Sequence, residues 1–200
     1  MDGPVDAPGR RADAPPRDRG GPAFPDGRGG GHMAMIPPFV VRPIEEGDAP
    51  LILLLARTLD KWFNVEGLRT MAKDLETHAG FVAVRGDRVL GFVTWEPIDK
   101  EVANMSWIGV AETEHRSGIG RALLAALKAD LRRRGFRTVE VSTVAESVDY
   151  EPYAATRGFY RAMGFVDYCV DPLYFGEGEG RYDRLRMRLQ LTSPEPTAPA

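Results

Sequence analysis

A strand-like run that leads through a glycine-containing turn into a long amphipathic helix constrains the fold more than any other feature of this sequence. Residues 103–110 form the run, and residues 118–134 place their apolar side chains on one side of a helix. Gly118 and Gly120 lack a Cβ atom, which lets the backbone approach a ligand closely. Because the first N–H groups of a helix are unpaired and its dipole is positive there, residues 115–124 predict a turn that holds the phosphates of a cofactor.

Hydrophobic periodicity along the chain predicts the element order βααβββαβαββ. Gly86-Asp87 joins two β-rich segments and predicts an antiparallel hairpin. The last strand is marked by apolar residues that alternate with polar ones: Leu185, Met187, Leu189 and Leu191 against Arg184, Arg186, Arg188 and Gln190. The expected strands are 39–44, 81–85, 88–96, 103–110, 138–143, 165–169 and this last one, and the expected helices are 48–62, 65–77, 118–134 and 152–163, with Asp48 as the first N-cap. We therefore expect an α/β (α+β) domain with a mixed central sheet flanked by helices.

Composition bounds the domain and its surroundings. Residues 1–34 are rich in Gly, Pro, Arg and Asp and are expected to be a disordered N-terminal segment, residues 35–192 the folded domain, and residues 193–200 a flexible tail. Met33 and Met35 are both candidates for the functional start. The net charge of −3 argues against nucleic-acid or membrane attraction, and no apolar run approaches the roughly 20 residues of a membrane span. Cys169 is the only cysteine, which suits a reducing cytoplasm.

Two motifs resemble those of one enzyme family. The segment WIGVAETEHRSGIGRALL resembles the acetyl-CoA binding motif of the GNAT family of N-acetyltransferases, (Q/R)xxGx(G/A), and FYRAMGF resembles the later motif YxxxGF. The resemblance covers residues 39–191 and implies the acyl-CoA N-acyltransferase fold, with a mostly antiparallel sheet and acetyl-CoA as cosubstrate without a metal. The first position of the motif is His115 here, where the family has Gln or Arg. The implied cofactor-binding residues are Ile108, Gly109, Val110, His115, Arg116, Ser117, Gly118, Ile119, Gly120, Arg121 and Tyr153.

The resemblance also implies the catalytic groups. Tyr160, the tyrosine of YxxxGF, is expected to protonate the departing coenzyme A thiolate, because a phenol with a reference pKa of about 10 keeps its proton at neutral pH. The position at which the family often has a basic carboxylate is Asn104 here, which cannot accept a proton. Glu96, on the preceding strand, is the candidate base, either directly or through water, and an ordinary surface carboxylate is the alternative. The expected reaction is direct transfer to a primary amine of a small molecule or a peptide N-terminus, without a covalent intermediate on Cys169.

Other functions stay open from sequence alone. A dinucleotide-binding dehydrogenase fits Gly118-Ile119-Gly120, but GxGxxG would require glycine at Leu123. A protein of the same fold that binds acetyl-CoA or a partner without turnover fits Asn104 and His115. The resemblance implies an acceptor pocket near Trp62, Phe63, Trp95 and residues 174–182, and a place in the core is the equal alternative for these aromatic residues. The strand edges and the connection at 172–181 permit a homodimer, and the acceptor itself is not named by the sequence.

Overall fold

The structure is a computed structural model that describes residues 39–176 and 181–191. Its elements follow the predicted order of strands and helices, which is confirmed: β1 (Val40–Pro43), α1 (Asp48–Arg57), α2 (Val65–Asp74), β2 (Ala79–Arg85), β3 (Arg88–Pro97), β4 (Val102–Val110), α3 (Ile119–Arg133), β5 (Thr138–Val144), α4 (Glu151–Ala162), β6 (Val166–Phe175) and β7 (Tyr182–Gln190). A single 3₁₀ turn, Glu112–Glu114, lies between β4 and α3. The segments 1–34 and 193–200, expected to be disordered, lie outside the described residues.

The described strands form one seven-stranded sheet in the order β1-β2-β3-β4-β5-β7-β6. Five of the six neighbouring pairs are antiparallel, and β4 with β5 is the parallel one. The β2–β3 hairpin turns at Gly86, whose φ of 58° lies in the left-handed region that glycine adopts without strain. The mixed, mostly antiparallel sheet is therefore confirmed. No helix among the described residues is long and apolar enough to cross a membrane.

Each face of the sheet has its own hydrophobic cluster. The first cluster joins α3 and α4 to the sheet and contains Leu127, Tyr160 and Met187. The second joins α1 and α2 to the opposite face and contains Ile52, Met71 and Phe92. Because side chains alternate along a strand, a strand residue between two members of the first cluster points to the face of the second. This rule gives the face of each side chain discussed below.

Two predicted boundaries differ from the structure by five or more residues, and one predicted cap differs as well. Helix α1 ends at Arg57, not at Trp62, because the backbone leaves the helix at Thr58, whose side chain bonds Leu55 O. Asp48 is not the N-cap: that position is Gly47, and the Asp48 carboxylate accepts two hydrogen bonds from Arg42, at 2.6 and 2.9 Å. Strand β6 runs on to Phe175, so Tyr174 lies in a strand where a long connection was expected.

Candidate active site

The sheet opens between its two central strands. Pairing of β4 with β5 begins at Val102–Thr138 and stops at Met105–Val141. Beyond that point β4 remains paired with β3 up to Val110, and β5 remains paired with β7. A wedge-shaped opening therefore separates residues 106–110 from residues 142–144.

The edge of β4 presents backbone groups to this opening. Ala111 N–H donates to Leu90 O on β3 at 2.8 Å, and neighbouring residues of an antiparallel strand alternate between two sides. Ile108 and Val110 therefore turn their N–H and C=O groups toward the opening. The carbonyl of Val110 lies 3.0 Å from His115 Nε2, which must carry the proton and donate it. Gly109 is required for packing, since a Cβ there would lie 2.8 Å from the Phe92 ring.

The predicted phosphate turn has the backbone of an anion site. Arg116 and Gly118 both have positive φ, 61° and 91°, and such left-handed residues beside right-handed ones turn successive N–H groups to one side. The first hydrogen bond of α3 runs from Ala122 N–H to Gly118 O. The N–H groups of residues 118–121 therefore have no partner within the helix and are free for solvent or a ligand. The Ser117 hydroxyl is used within the turn, where it donates to Glu114 O at 2.6 Å.

Helices α3 and α4 meet beneath the turn. A Cβ on Gly120 would lie 3.3 Å from the Phe159 ring and 3.8 Å from Val110, so the glycine lets α4 and β4 approach the start of α3. A groove of about 240 Å³ follows the two helices away from the turn, lined by Arg121, Leu124, Ala125, Lys128, Ala162 and Met163. Arg121 and Lys128 give this groove a positive charge next to the exposed N–H groups.

Tyr160 lies inside the first cluster, between the rings of Phe159 and Phe165. Only 4% of its surface is exposed, and this burial raises the pKa of its hydroxyl well above the ordinary value of 10. The phenol therefore keeps its proton throughout the physiological range. Tyr153, two turns earlier on α4, is half-buried, and burial raises its pKa in the same direction.

Glu96 lies on the opposite face of the sheet, since its neighbour Trp95 belongs to the first cluster. Its Oε1 accepts a hydrogen bond from Asn104 Nδ2 at 3.2 Å, and its Oε2 lies 3.2 Å from His78 Nε2. His78 is a site residue that the sequence analysis missed, because it belongs to the segment between α2 and β2 and to no motif. The buried Nδ1 of His78 has no hydrogen-bond partner. Glu96 is held by two neighbours and remains 45% exposed, so a ligand can reach it.

The two expected catalytic groups thus flank the sheet on opposite faces, and neither contacts the other. Two of the aromatic residues expected near an acceptor pocket, Trp95 and Trp62, lie in different surroundings from each other. Trp95 is 5% exposed, and its ring packs on Phe136 in the first cluster, so of the two alternatives for Trp95, core and pocket, the structure shows the core. Trp62 bridges the opening: its Nε1 donates to Pro152 O at the start of α4, and its ring meets His115 edge-on.

The remaining predictions concern Phe63, Cys169 and metal binding. Phe63 packs into the second cluster against Phe92 and Trp107. Cys169 lies on β6, where its Sγ is 3.5 Å from Asp171 Oδ1. Within residues 39–176 and 181–191 no group of three His, Cys, Asp or Glu side chains is placed to hold a metal ion.

Comparison with known proteins gives one family throughout. A sequence model of the acetyltransferase (GNAT) domain matches residues 76–167. A mycothiol acetyltransferase from Thermobispora bispora is 31% identical over 137 residues, which are 65% of this chain and 40% of that protein. The chain therefore spans less than half the length of that relative. The [ribosomal protein bS18]-alanine N-acetyltransferase of Escherichia coli strain K12 is 26% identical over 117 residues, 58% of this chain and 74% of that one.

Solved structures share the fold. A GNAT-family protein from Desulfovibrio desulfuricans superposes with a TM-score of 0.67 and 25% identity, over 77% of this chain and 99% of that one. A GNAT family acetyltransferase from Elizabethkingia anophelis, solved with acetyl-CoA bound, gives a TM-score of 0.58 and 18% identity, over 76% and 97% of the two chains.

Proposed function

We propose that this chain, which belongs to the GNAT family of acetyltransferases, moves an acetyl group from acetyl-CoA to a primary amine by direct transfer. One observation carries the proposal: the sheet opens next to a row of N–H groups that precede the hydrogen bonds of α3, with a protonated phenol on one face and an accessible carboxylate on the other. We assign the activity to residues 35–192.

The cofactor would occupy the turn and the opening together. Its pyrophosphate would accept hydrogen bonds from the N–H groups of Gly118, Ile119, Gly120 and Arg121, with Arg116 and Arg121 adding charge and Ser117 fixing the turn. Its pantetheine arm would run along the free edge of β4 at Ile108, Gly109 and Val110, and would replace His115 at the Val110 carbonyl. Tyr153 on α4 would line the other side of the arm.

The chemistry then follows from the two faces. The lone pair of a neutral amine attacks the thioester carbonyl carbon, and a β4 backbone N–H stabilises the oxyanion. Glu96 removes a proton from the amine nitrogen, directly or through one water. The carbon–sulfur bond breaks, and the departing thiolate takes the proton of the Tyr160 hydroxyl. The products are the acetylated amine and coenzyme A.

The acceptor is a primary amine on a small molecule or a peptide N-terminus. Two relatives are named for what they act on: one is a mycothiol acetyltransferase, and the other acetylates an alanine of ribosomal protein bS18. Both names support an amine as the acceptor in general. We place the reaction in the cytoplasm, which the single cysteine suits, with no metal, nucleic acid or membrane taking part. The edge strands β1 and β6 offer backbone for a homodimer.

Isothermal titration and a thiol-release assay test the proposal. We expect the protein to bind acetyl-CoA and CoA but not NADH, and to release thiol with at least one amine from a panel of amino acids, polyamines, aminoglycosides and peptides. Binding of NADH without CoA would contradict it. Binding of acetyl-CoA with no turnover across the panel would instead favour a non-catalytic binding protein, the alternative that Asn104 at the usual base position suggests.

A further inference from the structure

A polar face of the sheet lies beside the opening and has no part in the steps above. Leu185, Met187 and Leu189 of β7 belong to the first cluster, so the arginines between them point to the opposite face, the one that carries Glu96. We call this surface the arginine face, and it consists of Glu140, Tyr168, Asp171, Arg184, Arg186 and Arg188. The three arginines keep 20%, 34% and 47% of their side chains exposed, so ligands can reach them.

The outer two arginines are satisfied by carboxylates. Arg188 Nε donates to Glu140 Oε1 at 2.8 Å. Arg184 places Nε and Nη2 at 2.8 and 2.6 Å from Asp171 Oδ2. Glu140 also accepts the Tyr168 hydroxyl at 2.7 Å. Both carboxylates of the face are therefore engaged with close partners.

The central arginine, Arg186, is not satisfied in this way. Its Nε lies 3.4 Å from Asp171 Oδ2, the oxygen that Arg184 already holds, and this buried Nε forms no hydrogen bond. Its other neighbours are the Tyr168 ring, 5.0 Å from the guanidinium, and the Cys169 side chain, whose hydrogen bond with Arg186 raises the pKa of the guanidinium. Since three arginines share two carboxylates, the arginine face has one positive charge in excess, and that charge is centred on Arg186.

Arg186 is also the arginine nearest to the start of the opening. It pairs across the strands with Ser142, which directly follows Val141, the last β5 residue paired with β4. Neighbouring strands lie about 4.8 Å apart, so the Arg186 backbone is one strand away from the gap. Glu96 of β3 pairs with Asn104, and Asn104 pairs with Glu140, one residue before the last β4–β5 pair. One face thus presents a carboxylate on β3 and an excess guanidinium on β7, on either side of the two strands between which the sheet opens.

We propose that Arg186 binds a carboxylate of the acceptor, so that the acceptor is a small amino carboxylic acid with its primary amine a few bonds from its carboxylate. This inference rests on the proposed function for the reaction at the amine. A carboxylate accepts two parallel hydrogen bonds from a guanidinium; because Nε is buried while 34% of the side chain is exposed, the terminal nitrogens of Arg186 would donate them, and the bound carboxylate would offset the excess charge. The amine would then extend over Ser142 into the opening, toward Glu96.

Matched acceptor pairs test this assignment in the full chain. Glycine, β-alanine and 4-aminobutanoate are compared with their amides, which keep the amine and lose the negative charge. We expect at least one acid to exceed its amide about tenfold in kcat/KM, and R186Q to lower that acid-to-amide ratio about tenfold by raising KM for the acid. R186K keeps the charge and loses the planar fork, so its acid-to-amide ratio should lie between those of the wild type and R186Q. The control is R137Q, since Arg137 is 76% exposed and paired with Glu101 outside this face.

An acid-to-amide ratio near one in the wild type, or a ratio that R186Q leaves unchanged, would overturn the assignment. If neither the amino acids nor their amides are acetylated, the proposed function fails. The carboxylate site is then tested by a binding measurement instead. 4-Aminobutanoate is then titrated calorimetrically into the CoA-saturated protein. Binding that is lost in R186Q and kept in R137Q supports the carboxylate site, whereas equal binding by R186Q, or no binding by the wild type, overturns it.

Discussion

The two faces of the sheet at the opening are built in different ways. On the face of the first cluster, the turn and the start of α3 come from one continuous segment, and their N–H groups belong to the backbone. On the opposite face, Glu96, Asn104, Glu140 and Arg188 come from four strands and meet only through cross-strand pairing. A backbone site tolerates many side chains, but a site of paired side chains depends on each of them. The first face therefore suits a constant cofactor, and the second suits an acceptor that differs between relatives.

Substitution of Tyr160 by Phe tests the comparison most strongly, since it removes the proposed proton donor from the face of the first cluster. We expect kcat to fall by about 100-fold, because the thiolate would leave without general-acid assistance. Burial holds the pKa of Tyr160 above its ordinary value of 10, so its proton is present at every lower pH and the defect should be constant from pH 6 to 9. The measurement is thiol release at saturating substrates.

Y150F is the control for Y160F, because Tyr150 is a 39% exposed residue at the start of the same helix. Thermal unfolding of both variants checks that the fold is retained. If kcat for Y160F lies within twofold of the wild-type value, Tyr160 is not the general acid, and the face of the first cluster only binds the cofactor.

A charge placed at the phosphate turn gives the next largest effect. G118D and G118N introduce side chains of nearly equal shape, and both residue types tolerate the left-handed backbone at φ 91° better than other residues do. No atom lies within 4 Å of the Cβ position, so both fit. We expect the Kd for acetyl-CoA to be about 30-fold higher for G118D than for G118N, since only the carboxylate repels the phosphates. Equal Kd values in calorimetry would mean that the phosphates bind elsewhere.

The difference between the faces also explains what the sequence could predict. The turn, α3 and the order of elements along the chain follow from local signals: glycine positions, 3.6-residue and two-residue periods, and the Gly86 hairpin. His78 lies opposite Glu96 because the β2–β3 register shifts by one residue at Ala83/Val84, and no local pattern marks that shift. Arg186 was visible as one of four alternating polar residues, but that its Nε has no hydrogen-bond partner depends on Asp171 of β6 being held by Arg184. The place of Trp95 stayed open because an aromatic residue near a strand end suits a core and a pocket equally.

Substitution of Glu96 by Gln tests the acceptor face and should have the smallest of the three effects, because water can partly replace a base. The amide keeps an oxygen for Asn104 Nδ2, and its nitrogen donates to His78 Nε2 when the neutral imidazole carries its proton on Nδ1, so the local geometry is preserved while proton acceptance is lost. We expect kcat/KM for the amine to fall by about tenfold at pH 7. The defect should shrink as pH approaches the pKa of the amine, since an amine that is already neutral needs less help to lose its proton. E101Q, at an exposed residue paired with Arg137, is the control. If the defect in kcat/KM is equal at every pH, Glu96 acts as a binding residue. If there is no defect, water removes the proton, and the face that carries Glu96 only binds the acceptor.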